Sequence, residues 1–280
     1  FVLSCLSKGM AVTLGAIVIL IDLYLDKKII KSNIIKYIFI LIISLVFGII
    51  AIDAQKSGGA SDFGKNILNI YSWKDKFLFA NYSLFIYLEK LFLPLNLSTL
   101  YPYPNKINNL FPTIFYVAPF FNIIFFTIFI YAIIKRIDAI IFGILFFLIS
   151  IGPVLQIMSI GAAIAADRYF YVSSIGLFFV ISYFIVHKLS NNKKILFGVF
   201  AVIISILVYL TYERTKVWRT SETLWTDVMK NYPDNELPYW YRGAYYYNQK
   251  EMDKVIDDFN NVIRINQNKL EAYTTIASIY

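Results

Sequence analysis

The chain of 280 residues is 59% hydrophobic and 18% aromatic, with 16% charged residues and a mean hydropathy of +0.62. That composition excludes an ordinary soluble domain and a disordered segment, and it points to an integral membrane protein. The formal charge of +8 arises in the first 210 residues, where 17 Lys and Arg face 8 Asp and Glu, against 9 and 10 in the last 70; a net positive charge that belongs to the apolar part is an orientation signal, not a nucleic-acid footprint.

An all-α, polytopic helix bundle is predicted over residues 1–212. Apolar runs of about 20 residues, enough to cross a bilayer at ~1.5 Å per residue, occupy 2–25, 34–52, 114–134, 139–160, 170–186 and 195–212. Cys5, the single cysteine, lies in the first of them, can form no disulfide within the chain and is assigned to packing. A seventh run, 77–97, carries Asn81, Glu89, Lys90, Pro94 and Asn96 and reads as an interfacial or re-entrant helix. Three basic clusters, 26–36, Lys135-Arg136 and 187–194, mark the cytoplasmic side. All three fall inside only if 77–97 does not cross. The prediction is therefore six crossings, an external loop over 54–112, and external positions for AADRYFYVSS (165–174) and everything after Tyr212.

After residue 213 the pattern becomes amphipathic and repeats at an offset of 34. Tyr239 matches Tyr273, Gly243 matches Ala277, Tyr246 matches Tyr280, Ser221 matches Val255, Trp225 matches Phe259 and Val228 matches Val262. That period indicates a tetratricopeptide-repeat α-solenoid over 213–280. Pro233 closes a preceding half-unit, and Gly243 lets paired helices approach. Trp225 and Phe259 are expected in equivalent positions. Two amphipathic helices in succession are the plain alternative. Because such solenoids need about three units, further repeats are expected beyond Tyr280, and with no initiator Met the sequence reads as an internal fragment.

Three stretches resemble one family. LSKGMAVTLGAIVILIDLYL (6–25) is similar to its Ser-Lys-x-Met-Ala-x-Thr helix, LEKLFLPLNLSTLYPYP (88–104) to its segment ending in Tyr-Pro-Tyr-Pro, and AADRYFYVSSIGLF (165–178) to its Asp/Glu-Arg-Tyr-x-Tyr-x-x-Ser loop. These are the transmembrane and tetratricopeptide repeat O-mannosyltransferases and their bacterial relatives. The resemblance implies a GT-C type glycosyltransferase that takes a sugar from a polyprenyl-phosphate donor on the extracytoplasmic face. The family's catalytic acid would lie before Phe1. Gly9 and Gly15 stand where the family commonly has Pro, which leads us to expect a straighter first helix.

The candidate site residues are charged or aromatic groups beside apolar runs. Arg168 and Lys8 are the candidate ligands of the donor phosphate, Arg through bidentate bonds and Lys as a point charge; the plain alternative for Lys8 is snorkelling at a helix end. Asp167 would orient Arg168, or else cap the helix beginning near Ser173. Tyr169 and Tyr171 are supporting residues or interfacial-belt aromatics. Tyr101 and Tyr103 belong to YPYP, whose prolines enforce an extended path; they form a rigid turn or an acceptor wall. Gln156 is assigned to packing within the bundle. His187 is the only histidine, so neither a His/Cys metal site nor a Ser-His-Asp set is expected, and no cofactor is implied. The expected partners are the bilayer, the polyprenyl-linked sugar, and a protein or peptide on the repeats. A non-catalytic, membrane-anchored scaffold is the alternative function. The richness in Ile, Lys, Asn, Tyr and Phe suits a bacterial inner membrane.

Overall fold

In a computed structural model of the chain, the described residues are 1–26, 33–57, 71–104, 106, 108, 110–156, 163–189 and 192–280, without the side chains of 55–57. Residues 27–32 and 190–191 of the basic clusters, 58–70 of the expected external loop and 157–160 of the fourth expected span lie outside them. The described chain is mostly helical and forms two compact units, Phe1–Leu93 with Tyr103–Leu196, and Pro94–Pro102 with Phe197–Tyr280.

The first unit begins with α1 (Val2–Ser7), a 3₁₀ turn (Gly9–Thr13) and α2 (Leu14–Asp26). The straight first span is thus corrected: the helix breaks at Lys8, whose φ of −155° is extended. Gly9 favours the break because Gly is a poor helix former. It also packs tightly, since a Cβ there would lie 3.0 Å from the Cβ of Ala51, while one on Gly15 would strike the Ser44 hydroxyl and Ile40. All three neighbours belong to α3 (Ile34–Ser57). Tyr37 of α3 donates to Asp22 of α2 at 2.7 Å, closing the pair at its other end.

Next come α4 (Trp73–Phe92), α5 (Ile114–Lys135), α6 (Asp138–Ile151) and α7 (Asp167–Leu189). Among the described residues five helices are long and apolar enough to cross a membrane: Gly9–Asp26, Ile34–Ala54, Ile114–Lys135, Asp167–Leu189 and Lys193–Val217. The remaining expected span is shorter. It runs Asp138–Val154, ending in a 3₁₀ turn at Gly152–Val154 where Pro153 offers no N–H for a further helical bond. α6 and α7 run antiparallel, with Phe142 against Phe179 at 5.3 Å and Phe147 against Phe170 at 6.2 Å. Between these pairs Gly143 and Gly176 bring the two backbones into direct contact. A Cβ on either would strike the other's carbonyl.

α4 neither starts nor ends where 77–97 was drawn, yet its surroundings fit a segment that enters and leaves on one side. Tyr71 before the helix stacks on Tyr103 after it at 5.7 Å and meets Phe111 at 6.3 Å. Phe79 packs on Phe115 in the first turn of α5, whereas Tyr87 stacks on Phe170 of α7. A capping box of Ser72 and Asp75 starts the helix. Asn122, buried inside apolar α5, donates to the carbonyl and side-chain oxygens of Asn81 at 2.9 and 3.1 Å.

The second unit includes most of α8 (Lys193–Val217), which has no buried residue, followed by α9 (Ser221–Asn231), α10 (Glu236–Gln249), α11 (Met252–Ile265) and α12 (Leu270–Ala277). Arg214 of α8 pairs with Asp227 of α9 at 2.7 Å. α10 and α12 begin at positions 34 apart. Their neighbours converge on α10: Trp225 stacks on Tyr241 at 4.6 Å, and Phe259 lies against Trp240 at 4.9 Å. Phe259 fits over Gly243, where a Cβ would come within 2.7 Å of its ring. Arg242 joins three helices, giving bonds of 2.9 and 2.7 Å to Asp258 and one of 2.9 Å to Thr226.

Two outcomes follow. Replacing Gly176 by Leu in detergent-solubilised protein should lower stability by about 1–3 kcal/mol, because neither backbone can withdraw; an unchanged thermal midpoint would show that the contact is slack. Arg242→Met should cost about 3–5 kcal/mol by stranding Asp258, which is 2% exposed. The double change Arg242→Met with Asp258→Leu should recover a substantial part of that loss in denaturant titrations.

Candidate functional site

The end of the first unit at which α5 and α7 begin gathers most of the charged and aromatic residues singled out above. The chain reaches α7 through a fully buried extended stretch that includes Ala163–Ala165. A buried backbone must have its polar groups satisfied, and three side chains do this work. Ser83 of α4 donates to the Ile164 carbonyl at 2.9 Å, the Ala166 N–H donates to the Tyr87 hydroxyl at 3.3 Å, and the Gln156 amide donates to the Ala163 carbonyl at 3.0 Å. Gln156 sits at φ 52°, in the left-handed region, and accepts from the Tyr103 hydroxyl with its other amide atom. It is more than packing. It braces the approach to α7.

That brace sets where Asp167 and Arg168 emerge. They do not lie in a loop ahead of a helix beginning near Ser173, as expected, but form the first turn of α7, while Ser173 lies buried within it. Asp167 in the first turn suits the positive end of the helix dipole, and Arg168 opposes it. Arg168 is held by its neighbour instead: its guanidinium lies 4.8 Å over the Tyr169 ring, with a 3.3 Å bond to that hydroxyl. Tyr171 is 80% exposed and points away from the protein. With Val172, Ile175 and Phe178, also exposed, it forms an uncovered apolar stripe headed by Arg168.

Ring contacts give the depth. Phe125 of α5 meets Phe147 of α6 at 5.8 Å, and Phe147 meets Phe170 of α7, so these three residues share a level. α5 begins eleven residues above it, about 16 Å, and Arg168 lies two residues above it, about 3 Å. The Arg168 backbone is therefore recessed roughly 13 Å below the end of α5. Lys8 lies towards the same end, because Tyr24 near the end of α2 meets Phe142 near the start of α6 at 4.4 Å, and the 3₁₀ turn that precedes α2 also packs on α6. Lys8 is exposed at the helix break.

Tyr103 belongs to this end as well. Its ring stacks on Tyr71 and packs edge-on to Phe79 at 5.4 Å, and burial, reinforced by Tyr71 and then Tyr169, raises its hydroxyl above the ordinary tyrosine range. Tyr101 belongs to the second unit, where it is buried, receives the Ser98 N–H at 3.2 Å and meets Tyr232 at 6.2 Å. The sequence had marked Glu89 and Lys90 only as oddities of an apolar run. They form a half-buried ion pair at 3.3 Å, two and three residues after Tyr87. Among the described residues no cluster of His, Cys, Asp and Glu could hold a metal.

No protein-family model, no curated protein and no solved structure matches this chain.

Tyr103→Phe removes a hydrogen-bond donor to the Gln156 oxygen and should cost about 1–3 kcal/mol. The raised folded value means that Tyr103 favours folding fully below about pH 10, where an unfolded tyrosine keeps its proton, and that this contribution is lost as pH rises towards the folded value. Ultraviolet titration of wild type minus Tyr103→Phe should therefore show this tyrosine ionising late. Ionisation at the ordinary value would contradict its burial.

Proposed function

We propose that the protein acts as a GT-C-like membrane glycosyltransferase, binding a polyprenyl-phosphate sugar on the extracytoplasmic face and using tetratricopeptide-type repeats to hold an acceptor or partner. The observation that carries the reading is the recessed Arg168 at the head of the uncovered stripe of Tyr171, Val172, Ile175 and Phe178. A long apolar tail ending in phosphate matches both parts, and a phosphate at this depth gains a charge-assisted bond where water is scarce. Ordinary phospholipid headgroups lie nearer the ends of the spans.

Lys8 is the second cation of this reading, and Asp167, Tyr169 and Tyr103 hold the surroundings of Arg168. Three basic clusters support the orientation, and the stacking of Tyr71 on Tyr103 supports a segment that does not cross. For the repeats, support comes from helix starts 34 residues apart and from the Gly243–Phe259 contact. The bacterial inner membrane rests on composition.

The test is binding of undecaprenyl phosphate to the chain in nanodiscs, read by native mass spectrometry. Arg168→Ala should weaken it by about 10-fold or more, the worth of one charge-assisted bond, with Arg168→Lys intermediate and phosphatidylglycerol retention unchanged. Equal affinity in the Ala variant, or a wild type that does not distinguish undecaprenyl phosphate from phosphatidylglycerol, would remove the donor-site reading and leave the scaffold.

A further inference from the structure

The long apolar helix α8 and the first amphipathic helix α9 meet at a corner whose shape is fixed by hydrogen bonds. α8 ends at Val217 and Thr220 already caps α9, so Trp218 and Arg219 alone lie between. The Thr223 N–H donates to the Thr220 hydroxyl at 3.1 Å, and the Thr220 N–H donates to the Thr223 hydroxyl at 3.1 Å. That hydroxyl also lies 2.9 Å from the Val217 carbonyl, tying the first turn of α9 back to the end of α8. Farther along both helices, Arg214 and Asp227 join them again at 2.7 Å. The corner thus holds two exposed side chains in place, Trp218 at 49% exposure and Arg219.

Most charges around the corner are matched within the protein. Arg214 pairs with Asp227, Lys216 pairs with Glu213 at 2.6 Å, and Glu222 in the first turn of α9 accepts from the Tyr246 hydroxyl of α10 at 2.7 Å. Among the described residues the Arg219 guanidinium meets no acid or other acceptor. The N-terminus of α9 is capped by Thr220, so the attraction for an anion lies in the Arg219 side chain. An indole left half in water beside an unmatched guanidinium suits a surface that is apolar on one side and anionic on the other.

Depth identifies that surface. The 25 residues of α8 extend about 37 Å, against about 30 Å for the hydrocarbon of a bilayer. With the helix centred in the bilayer, both of its ends stand a few ångström outside the hydrocarbon, among the headgroups. Tyr209 and Tyr212 are exposed on the last turns below the corner, and the Lys216 ammonium lies 4.8 Å over the Tyr212 ring. Aromatic rings and basic side chains concentrate at this level.

We propose that the corner of Trp218 and Arg219 docks on the headgroup of an anionic phospholipid, with the indole among the upper acyl carbons and the guanidinium at the phosphate. The proposal takes α8 as a membrane span and does not rest on the donor reading at Arg168. Trp218 emission, obtained as wild type minus Trp218→Phe, would be measured in nanodiscs containing phospholipid brominated near the interface. Brominated phosphatidylglycerol should be preferred over brominated phosphatidylcholine at equal mole fraction by about fivefold, the worth of one cation near an anionic surface. Arg219→Gln should abolish the preference while quenching by phosphatidylcholine persists. Equal quenching by the two lipids in wild type, or a preference that survives Arg219→Gln, would overturn the proposal. Absence of quenching by either lipid would overturn it too, by placing the end of α8 outside the membrane interface.

Discussion

The contact between Gly143 and Gly176 fixes the geometry on which the first unit depends. Helices in an apolar medium gain little from burying apolar surface against one another, so close packing must supply the attraction. Here two glycines let the backbones of α6 and α7 touch. Phe142 against Phe179 and Phe147 against Phe170 then lock the register on either side. α2 joins the same layer through Tyr24, which contacts both Phe142 and Phe179.

Register at that contact propagates to the candidate site. With α7 held against α6, the buried residues 163–166 must approach from one direction, and Ser83, Tyr87 and Gln156 satisfy their backbone. Asp167 and Arg168 follow directly. Their depth is thus a consequence of helix packing, not of a flexible loop. An Arg exposed at such depth is expensive in hydrocarbon, and stacking on Tyr169 covers one side of its guanidinium. The uncovered apolar stripe below it is where a lipid-like ligand would lie.

In the second unit the organising group is Arg242. A buried carboxylate such as Asp258 persists only when paired and hydrogen-bonded, and Arg242 pairs with it bidentately while also bonding Thr226. Helices α9, α10 and α11 are tied through one side chain. Tyr246 adds a 2.7 Å bond to Glu222, and burial together with that carboxylate pushes its hydroxyl up to about 12.

The membrane class, the positions of most long helices and the amphipathic character after residue 213 were written in the sequence, because they depend on length, hydropathy and period alone. The 34-residue offset recurs in one pair of helix starts, Glu236 and Leu270, whereas Ser221 and Met252 start helices 31 residues apart. Gly143 and Gly176 carried no such signal, since a glycine within an apolar run does not reveal which backbone will approach it. The break at Lys8 was equally hidden, as was the close approach of Gly9 beside it to Ala51 on another helix. Arg168 was conspicuous as a charge among apolar residues, but its place in the first turn of α7 and its recessed depth came from ring contacts among residues 125, 147 and 170. Gln156 looked like packing because Tyr103 and Ala163, to which it hydrogen-bonds, lie 53 and 7 residues away. Local pattern determined which segments are helices and which face apolar surroundings. Only tertiary structure decided how deep the charges lie and which polar groups meet, because those depend on helix register and on contacts between distant residues.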